Sequence, residues 1–312
     1  MGPDVVAAID VGGTRVKAAL VDGSFKVVAH ATTLTPSDIA ADIATVVQET
    51  VARLLVGAEE LRVPVRLVGA GVVVPGLVDE VLGVALYSVN LGWRDLPVRD
   101  PVAARLGVPT VLGHDVRAGL LAEARLGAAR GARHALFIAL GTGIAGALML
   151  DGNAISADGW AGELGHLVID PSGPLCRCGT RGCLEAVASA VAVERAYAHR
   201  TGRRLEAEHI AARARSGDSE ASAVWVEAIS ALAQAIVATV TITGVDLIVV
   251  GGGLAESGET LLAPLRADVT RRLTFQRPPR VEKAALGDRA GSLGAACLVW
   301  DAVNAAARKG IG

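Results

Sequence analysis

Short apolar runs that end at glycines alternate along this chain with longer stretches spaced for helices. Residues 5–9 are apolar and run into Asp10-Val11-Gly12-Gly13-Thr14, the apolar pattern resumes over 16–21, and Asp22-Gly23 closes it, which predicts strand, glycine turn, strand and hairpin turn. Residues 37–56 have helical spacing with Ser37 as N-cap, 65–74 predict a buried strand ending at Pro75-Gly76, and 100–106 predict a helix with Pro101 at its first position. A strand over 108–112 then passes through Gly113-His114-Asp115 into an Ala-rich helix that ends at Leu126. Downstream, 135–140 read as a strand, 188–199, 207–215 and 219–240 as helices, and 246–250 as a strand entering Gly251-Gly252-Gly253. Helices over 260–273 and 292–308 complete the chain.

Two of these stretches repeat one another. LGTGIAGALMLDG at 140–152, laid over VGGTRVKAALVDG at 11–23, keeps the order glycine turn, apolar strand, Asp-Gly, and so points to a duplicated half. Glycines at such turns let backbone N–H groups approach a ligand, Thr14 adds a hydroxyl, and Arg15 and Lys17 add positive charge. Two of these loops facing each other across a cleft would grip one polyphosphate from both sides. The triple glycine 251–253 admits a flat ring or a ribose close to the backbone, or serves only as a turn into the next helix. Gly76 and Asn90 lie in a loop beyond a strand end, where ligands commonly sit in α/β sheets; Asn90 and Trp93 have an equal reading as turn and packing residues. Asp115 caps the helix that follows it, or acts as a general base at the carboxyl end of a strand.

The segment GELGHLVIDPSGPLCRCGTRGCLE, 162–185, holds three of the chain's four cysteines. Cys176, Cys178 and Cys183 with His166 make the closed tetrahedral set that structural zinc prefers, and the intervening Pro-Gly and Gly-rich turns let them converge. The competing readings are buried thiols or one disulfide. A metal there would fold a loop and hold Glu163 and Glu185 in place. Cys297, in an Ala-rich helical pattern, reads as a plain buried thiol.

Composition narrows the class. With 52% hydrophobic, 20% charged and only 3% aromatic residues over 312 positions, the cores must be aliphatic, as in α/β proteins with buried parallel strands. A net charge of −2 gives no footprint for nucleic acid, and the apolar region 231–254 is interrupted by Gln234 and Asp246, so no membrane partner is expected. Residues 1–4 lead straight into a strand without a secretory pattern, and a thiolate zinc site suits a reducing, cytoplasmic setting. The expected division is a small α/β lobe over 1–113, with the C-terminal helix 290–312 packing back on it, and a large α/β lobe over 114–289 carrying the zinc loop.

Taken together, the chain resembles the ROK family of repressors, open reading frames and kinases, especially its glucokinase-like sugar kinases. The resemblance is carried by Glu163-Leu-Gly-His166 and by Cys176-Arg-Cys178-Gly-Thr-Arg-Gly-Cys183-Leu-Glu185, with Asp10–Thr14, 140–143 and 250–253 similar to the family's two phosphate loops and its adenosine loop. It implies a duplicated actin-like, ribonuclease-H-like fold with two lobes around a central cleft. It also implies ATP-dependent phosphorylation of a hexose at the 6-hydroxyl, with Mg2+ and structural Zn2+, in a homodimer. Asp115 would be the base. Gly76, Asn90, His114, Glu163, His166 and Glu185 would face the sugar, and His166 would also ligate zinc. Asp10, Gly12, Gly13, Thr14, Lys17, Gly141, Thr142, Gly143, Gly251, Gly252 and Gly253 would face the nucleotide. The alternatives it implies are an N-acetylglucosamine or N-acetylmannosamine kinase, or a sugar-responsive regulator lacking its DNA-binding domain. The chain departs from the family at His114, where Asn is usual, and at Ala145 and Ala147, near positions often filled by glycine.

Overall fold

The computed structural model describes residues 2–60, 63–88 and 91–309, so Asn90 lies outside the described residues. Two compact units are formed, one from Met1–Ala122, Ser156–Ala161 and Asp288–Gly312, the other from Glu123–Ile155 and Gly162–Gly287.

In the first unit β1 (Asp4–Val11) turns back antiparallel on β2 (Arg15–Asp22), with Asp10 opposite Lys17, and β3 (Val27–Leu34) pairs with the outer edge of β2. After α1 (Ile43–Glu60), β4 (Arg66–Val74) lies parallel to β1 on its other side. A small antiparallel sheet follows, made of β5 (Leu77–Asp79), β6 (Val84–Ser88) and β7 (Trp93–Pro97). The chain continues through α2 (Arg99–Leu106) to β8 (Thr110–His114), parallel to β4, and to α3 (Asp115–Leu126). The main sheet therefore has the order β3-β2-β1-β4-β8. Val5 to Ile9 of the central strand are wholly buried on both faces, which is why the sequence there is an unbroken apolar run.

The expected start of α1 at Ser37 is corrected to Ile43. The chain first makes turns in which Ile39 N–H bonds the Pro36 carbonyl at 3.3 Å and Ala41 N–H bonds that of Asp38 at 2.8 Å. Asp42 then accepts the Thr45 N–H at 3.0 Å and is the side chain that opens the helix. From there Ile43, Val47, Val51, Leu54 and Ala58 form the buried stripe. Pro101 is the third residue of α2, not the first, and its missing N–H costs nothing there because the first turn has no intrahelical acceptor.

The second unit repeats the plan. β9 (Ala135–Leu140) is paired antiparallel with β10 (Ile144–Leu150), which carries β11 (Asn153–Ala154). The helices α4 (Leu184–Ala188), α5 (Ala190–Thr201), α6 (Ala207–Arg215) and α7 (Ser219–Thr243) follow. Then come β12 (Leu247–Gly251), parallel to β9, α8 (Glu259–Arg272) and β13 (Arg280–Lys283), in the order β11-β10-β9-β12-β13. A hairpin on one side of a central strand and parallel strands on the other occur in both sheets, which is the duplication that the two glycine repeats announced. The helix expected over 188–199 is split at Ser189, whose hydroxyl accepts the Ala192 N–H at 3.2 Å and opens α5. α7 and the segment 287–308 are long and apolar enough to cross a membrane, but 61% and 50% of their most apolar windows are buried in the protein.

The chain returns to the first unit as α9 (Ala290–Lys309). A Cβ at Gly294 would lie 2.2 Å from the Ala118 carbonyl oxygen, so α9 and α3 touch backbone to backbone. That contact places the start of α3, with Asp115, in the first unit: it ends at Ala122 and not at Gly113. Glu123, wholly buried, begins the second unit. Its Oε2 accepts the N–H groups of Ala128 (2.6 Å) and Ala285 (3.1 Å), and its Oε1 that of Leu286 (2.8 Å). One carboxylate thereby joins the two stretches of chain where this unit begins and ends.

Candidate active site and metal cluster

In the first unit the predicted residues gather at one edge of the sheet. β1, β4 and β8 are parallel, so the loop after Asp10, the Pro75-Gly76 turn and the His114-Asp115 junction all leave from carboxyl ends, with Asp10 in register with Val73 and Val74 with His114. The glycine turn is held closed: Gly12 N–H donates to the Arg15 carbonyl at 2.9 Å, the Thr35 hydroxyl to that of Gly12 at 2.6 Å, and Thr35 N–H to that of Thr14 at 3.0 Å. Gly76 has φ +96° and a Cβ there would meet the Tyr87 carbonyl oxygen at 2.2 Å, so the position requires glycine. Lys17 pairs with Asp288 at 3.3 Å and lines, with Arg15, His30 and Arg289, a cavity of about 530 Å3.

Asp115 opens α3 with its side chain about a quarter exposed. Its Oδ1 accepts the Val116 N–H at 2.7 Å and lies 3.4 Å from His114 Nε2. His114 is buried, and its Nδ1 accepts the Arg117 N–H at 3.2 Å. Behind it, Glu80 Oε1 accepts both the His114 N–H (3.3 Å) and Arg117 Nε (3.1 Å), while Arg117 Nη1 donates to the Ala161 carbonyl at 3.3 Å. Sequence reasoning passed over Glu80 and Arg117, and no local pattern marks either, since α3 carries Asp115, Glu123 and Arg125 as well.

Asp10 is the most perturbed carboxylate of the edge. Burial first and the Asp115 charge second raise it to about 7, against the opposing pull of Lys17. A group whose folded-state pKa is raised stabilises the fold fully below its unfolded value, near 4, and loses that contribution as pH rises through about 7. The melting temperature of the ligand-free protein is therefore expected to fall between pH 5 and pH 8, and Asp10→Asn to remove most of that slope. Differential scanning fluorimetry across the range checks both, and an unchanged slope in the variant would contradict the assignment.

The second unit gathers its glycines in the same manner. β9 and β12 are parallel neighbours, so the turn Gly141-Thr142-Gly143 and the run Gly251-Gly252-Gly253 leave from adjacent strand ends. Gly252, at φ +84°, comes so close to β9 that a Cβ would meet the Leu140 carbonyl oxygen at 2.4 Å. Glu185 reaches across 41 positions: its Oε2 accepts the Ile144 N–H at 2.9 Å, and a Cβ at Gly143 would stand 2.4 Å from the same oxygen. The 162–166 segment packs on the same hairpin, Gly146 N–H donating to the Gly162 carbonyl at 2.8 Å. Glu163 and His166 flank a 3-10 turn over Leu164–His166, with His166 Nε2 3.8 Å from Glu163 Oε2.

The four ligand atoms of His166, Cys176, Cys178 and Cys183 lie within 4.8 Å of one another. Cys176 Sγ is 3.7 Å from His166 Nδ1 and Cys178 Sγ is 3.6 Å from Cys183 Sγ, so Nδ1 faces the thiols and Nε2 faces the glutamate. The turns close through bonds from Cys176 N–H to the Thr180 carbonyl and from Gly182 N–H to that of Pro174, both 2.8 Å. A bond from the Thr180 backbone lowers Cys178 to about 7, whereas burial pushes Cys183 up to about 12. Three thiols and one imidazole converging without disulfides fit a thiophilic dication, whose charge would deprotonate the buried Cys183.

Two α/β units of one topology, each with a glycine turn after its central strand, define the duplicated actin-like ATPase fold. The sequence model of the ROK family matches residues 6–302, and the chain belongs to that family. It is 33% identical to a glucokinase of Thermotoga maritima over 95% of this chain and 97% of that one. Among solved structures it is similar to a ROK hexokinase from Thermus thermophilus (TM-score 0.81, 32% identity, 94% of this chain and 96% of that one). It is also similar to a ROK family glucokinase from Streptomyces griseus in complex with glucose and AMPPNP (TM-score 0.80, 29% identity, 94% and 98%).

Proposed function

We propose that this protein transfers the γ-phosphoryl group of ATP to the 6-hydroxyl of an aldohexose, glucose first. The observation that carries the reading is Asp115: a partly exposed carboxylate at the carboxyl end of β8, on the same sheet edge as the Asp10–Thr14 loop, with Oδ1 already held by its own helix. As the bond from O6 to Pγ forms and the bridging Pγ–O bond breaks, Asp115 accepts the hydroxyl proton and ADP leaves. Backbone N–H groups of Gly13 and Thr14 and of Thr142 and Gly143 receive phosphate oxygens, with Lys17 as a nearby charge, while Gly12 and Gly141, whose N–H groups close their own turns, let the backbone come near, and Gly251–Gly253 receive the adenosine. Mg2+, when bound, neutralises charge on the β- and γ-phosphates, and Asp10 is the carboxylate that would face its water shell.

Glu163, His166 and Glu185 hold sugar hydroxyls in this reading. His166 Nδ1, Cys176, Cys178 and Cys183 would hold Zn2+, and the ring so held would present its Nε2 proton outward, with Glu163 beside it. Gly76 belongs to the loop on the sugar side. The working form is taken to be a homodimer in a reducing, cytoplasmic setting, which suits both ATP and a thiolate site.

The test is phosphorylation of a panel of glucose, mannose, N-acetylglucosamine and N-acetylmannosamine with ATP and Mg2+, followed by coupled ADP release and 31P NMR. Glucose 6-phosphate is the expected product. Turnover confined to the N-acetylhexosamines would move the substrate class, and no ADP release with any sugar would overturn the kinase reading.

A further inference from the structure

We infer that His114 is a positioning residue for Asp115 and not a sugar contact: its imidazole determines which carboxylate oxygen receives the substrate proton. This rests on the kinase reading above. The ring is 4% exposed and both of its nitrogens face protein groups. Nδ1 accepts the Arg117 N–H at 3.2 Å, the bond a helix-capping side chain makes to the third residue beyond it. An accepting nitrogen carries no proton, so in the neutral ring the proton is on Nε2. Nε2 lies 3.4 Å from Asp115 Oδ1, the same oxygen that takes the Val116 N–H at 2.7 Å. The Val116 N–H bond and the Nε2 contact thus both fall on Oδ1, and Oδ2 is left as the oxygen that meets the 6-hydroxyl.

A protonated Nδ1 would confront the Arg117 N–H donor to donor, so this arrangement belongs to the neutral ring. Asp115 in turn is faced by Asp10 on β1, itself near Lys17 on β2 and Asp288 before α9. Asparagine at position 114 would reproduce the cap but place no donor where Nε2 stands; glutamine would place one there but lose the cap.

That difference supplies the test, made on the full chain with glucose, ATP and Mg2+. His114→Asn is expected to melt close to the unsubstituted protein and to keep its glucose KM within about threefold. Its kcat should fall about 10-fold, because the contact on Oδ1 is lost and Oδ2 is no longer kept toward the hydroxyl. His114→Gln should recover most of that kcat while melting lower. A glucose KM raised about 10-fold or more with kcat unchanged would make His114 a sugar contact and overturn the inference, and so would a kcat equally low in His114→Gln. Inactivity of the unsubstituted protein would overturn the kinase reading instead; the 13C shift of the Asp115 carboxyl carbon at one fixed pH in aspartate-labelled protein, changed in His114→Asn and restored in His114→Gln, would then still show whether His114 acts on Asp115.

Discussion

Asp115→Asn is expected to lower kcat by about three to four orders of magnitude while glucose affinity, measured by calorimetry, stays within about threefold. The amide has the shape of the carboxylate, and its oxygen can still accept the Val116 N–H that opens α3 and face His114 Nε2, so the local fold survives. What is lost is an atom able to take the hydroxyl proton as the phosphoryl group arrives. A second consequence follows from Asp10. Part of what raises Asp10 to about 7 is the charge of Asp115, so in the variant Asp10 should titrate lower and the pH dependence of melting should move to the acid side. A kcat within 10-fold of the original would remove Asp115 from the base role. A changed kcat without the shift in Asp10 would show that the two carboxylates do not share an electrostatic environment.

The elements legible in the sequence are those whose burial is one-sided or complete. β1 and β2 stand out because their apolar runs stop at Asp10-Val11-Gly12-Gly13-Thr14 and Asp22-Gly23, and β9 and β10 because Leu140 to Gly152 repeats that grammar. β3 does not stand out: it is an edge strand whose residues alternate between half-buried and exposed, including His30 and Thr32, so no apolar run marks it. The three short strands β5, β6 and β7 are too brief to show a period. The start of α1 was misplaced because Ser37 and Asp42 are both plausible caps, and only the turns at Pro36 and Asp38 decide between them.

The candidate site divides along the same line. Glycine loops and the cysteine spacing are local, so their residue types alone point to phosphate and metal. The Ile144 partner of Glu185 is 41 positions away, and the neighbours of His114, though near in sequence, depend on which ring nitrogen faces which. Nothing in the string of residues says that Glu185 receives the Ile144 N–H, or that the histidine standing in for the family's usual Asn turns its Nδ1 to its own helix and its Nε2 to Asp115. These are statements about which atom of a side chain faces which neighbour. They separate a residue that touches substrate from one that orients the residue that does.

Loss of a zinc ion proposed for His166, Cys176, Cys178 and Cys183 should have an effect of comparable size, through stability and binding together. The loop from Leu167 to Cys183 has little apolar core: Ile169 packs partly buried on the main core, and Cys176, Cys183 and Ala186 form a small buried cluster, while Leu167, Val168 and Leu175 are exposed. Its backbone bonds, such as Ile169 N–H to the Gly182 carbonyl at 2.8 Å, close turns without anchoring them. Apparent binding energies of structural zinc in small sites are on the order of 10 kcal/mol, far more than this cluster gains from burial, so a zinc ion on these ligands would decide whether the loop holds its shape. Cys183→Ser should reduce the zinc content, by inductively coupled plasma mass spectrometry, from about one ion per chain to a small fraction. It should release His166 and Glu163 and raise the glucose KM by about 10- to 100-fold, with the ATP KM less affected. Cys297→Ala, in a buried thiol of α9, should leave the zinc content unchanged. If the unsubstituted protein carries no zinc, or if Cys183→Ser binds glucose as before, then the convergence of His166 with the three thiols has no part in holding the sugar.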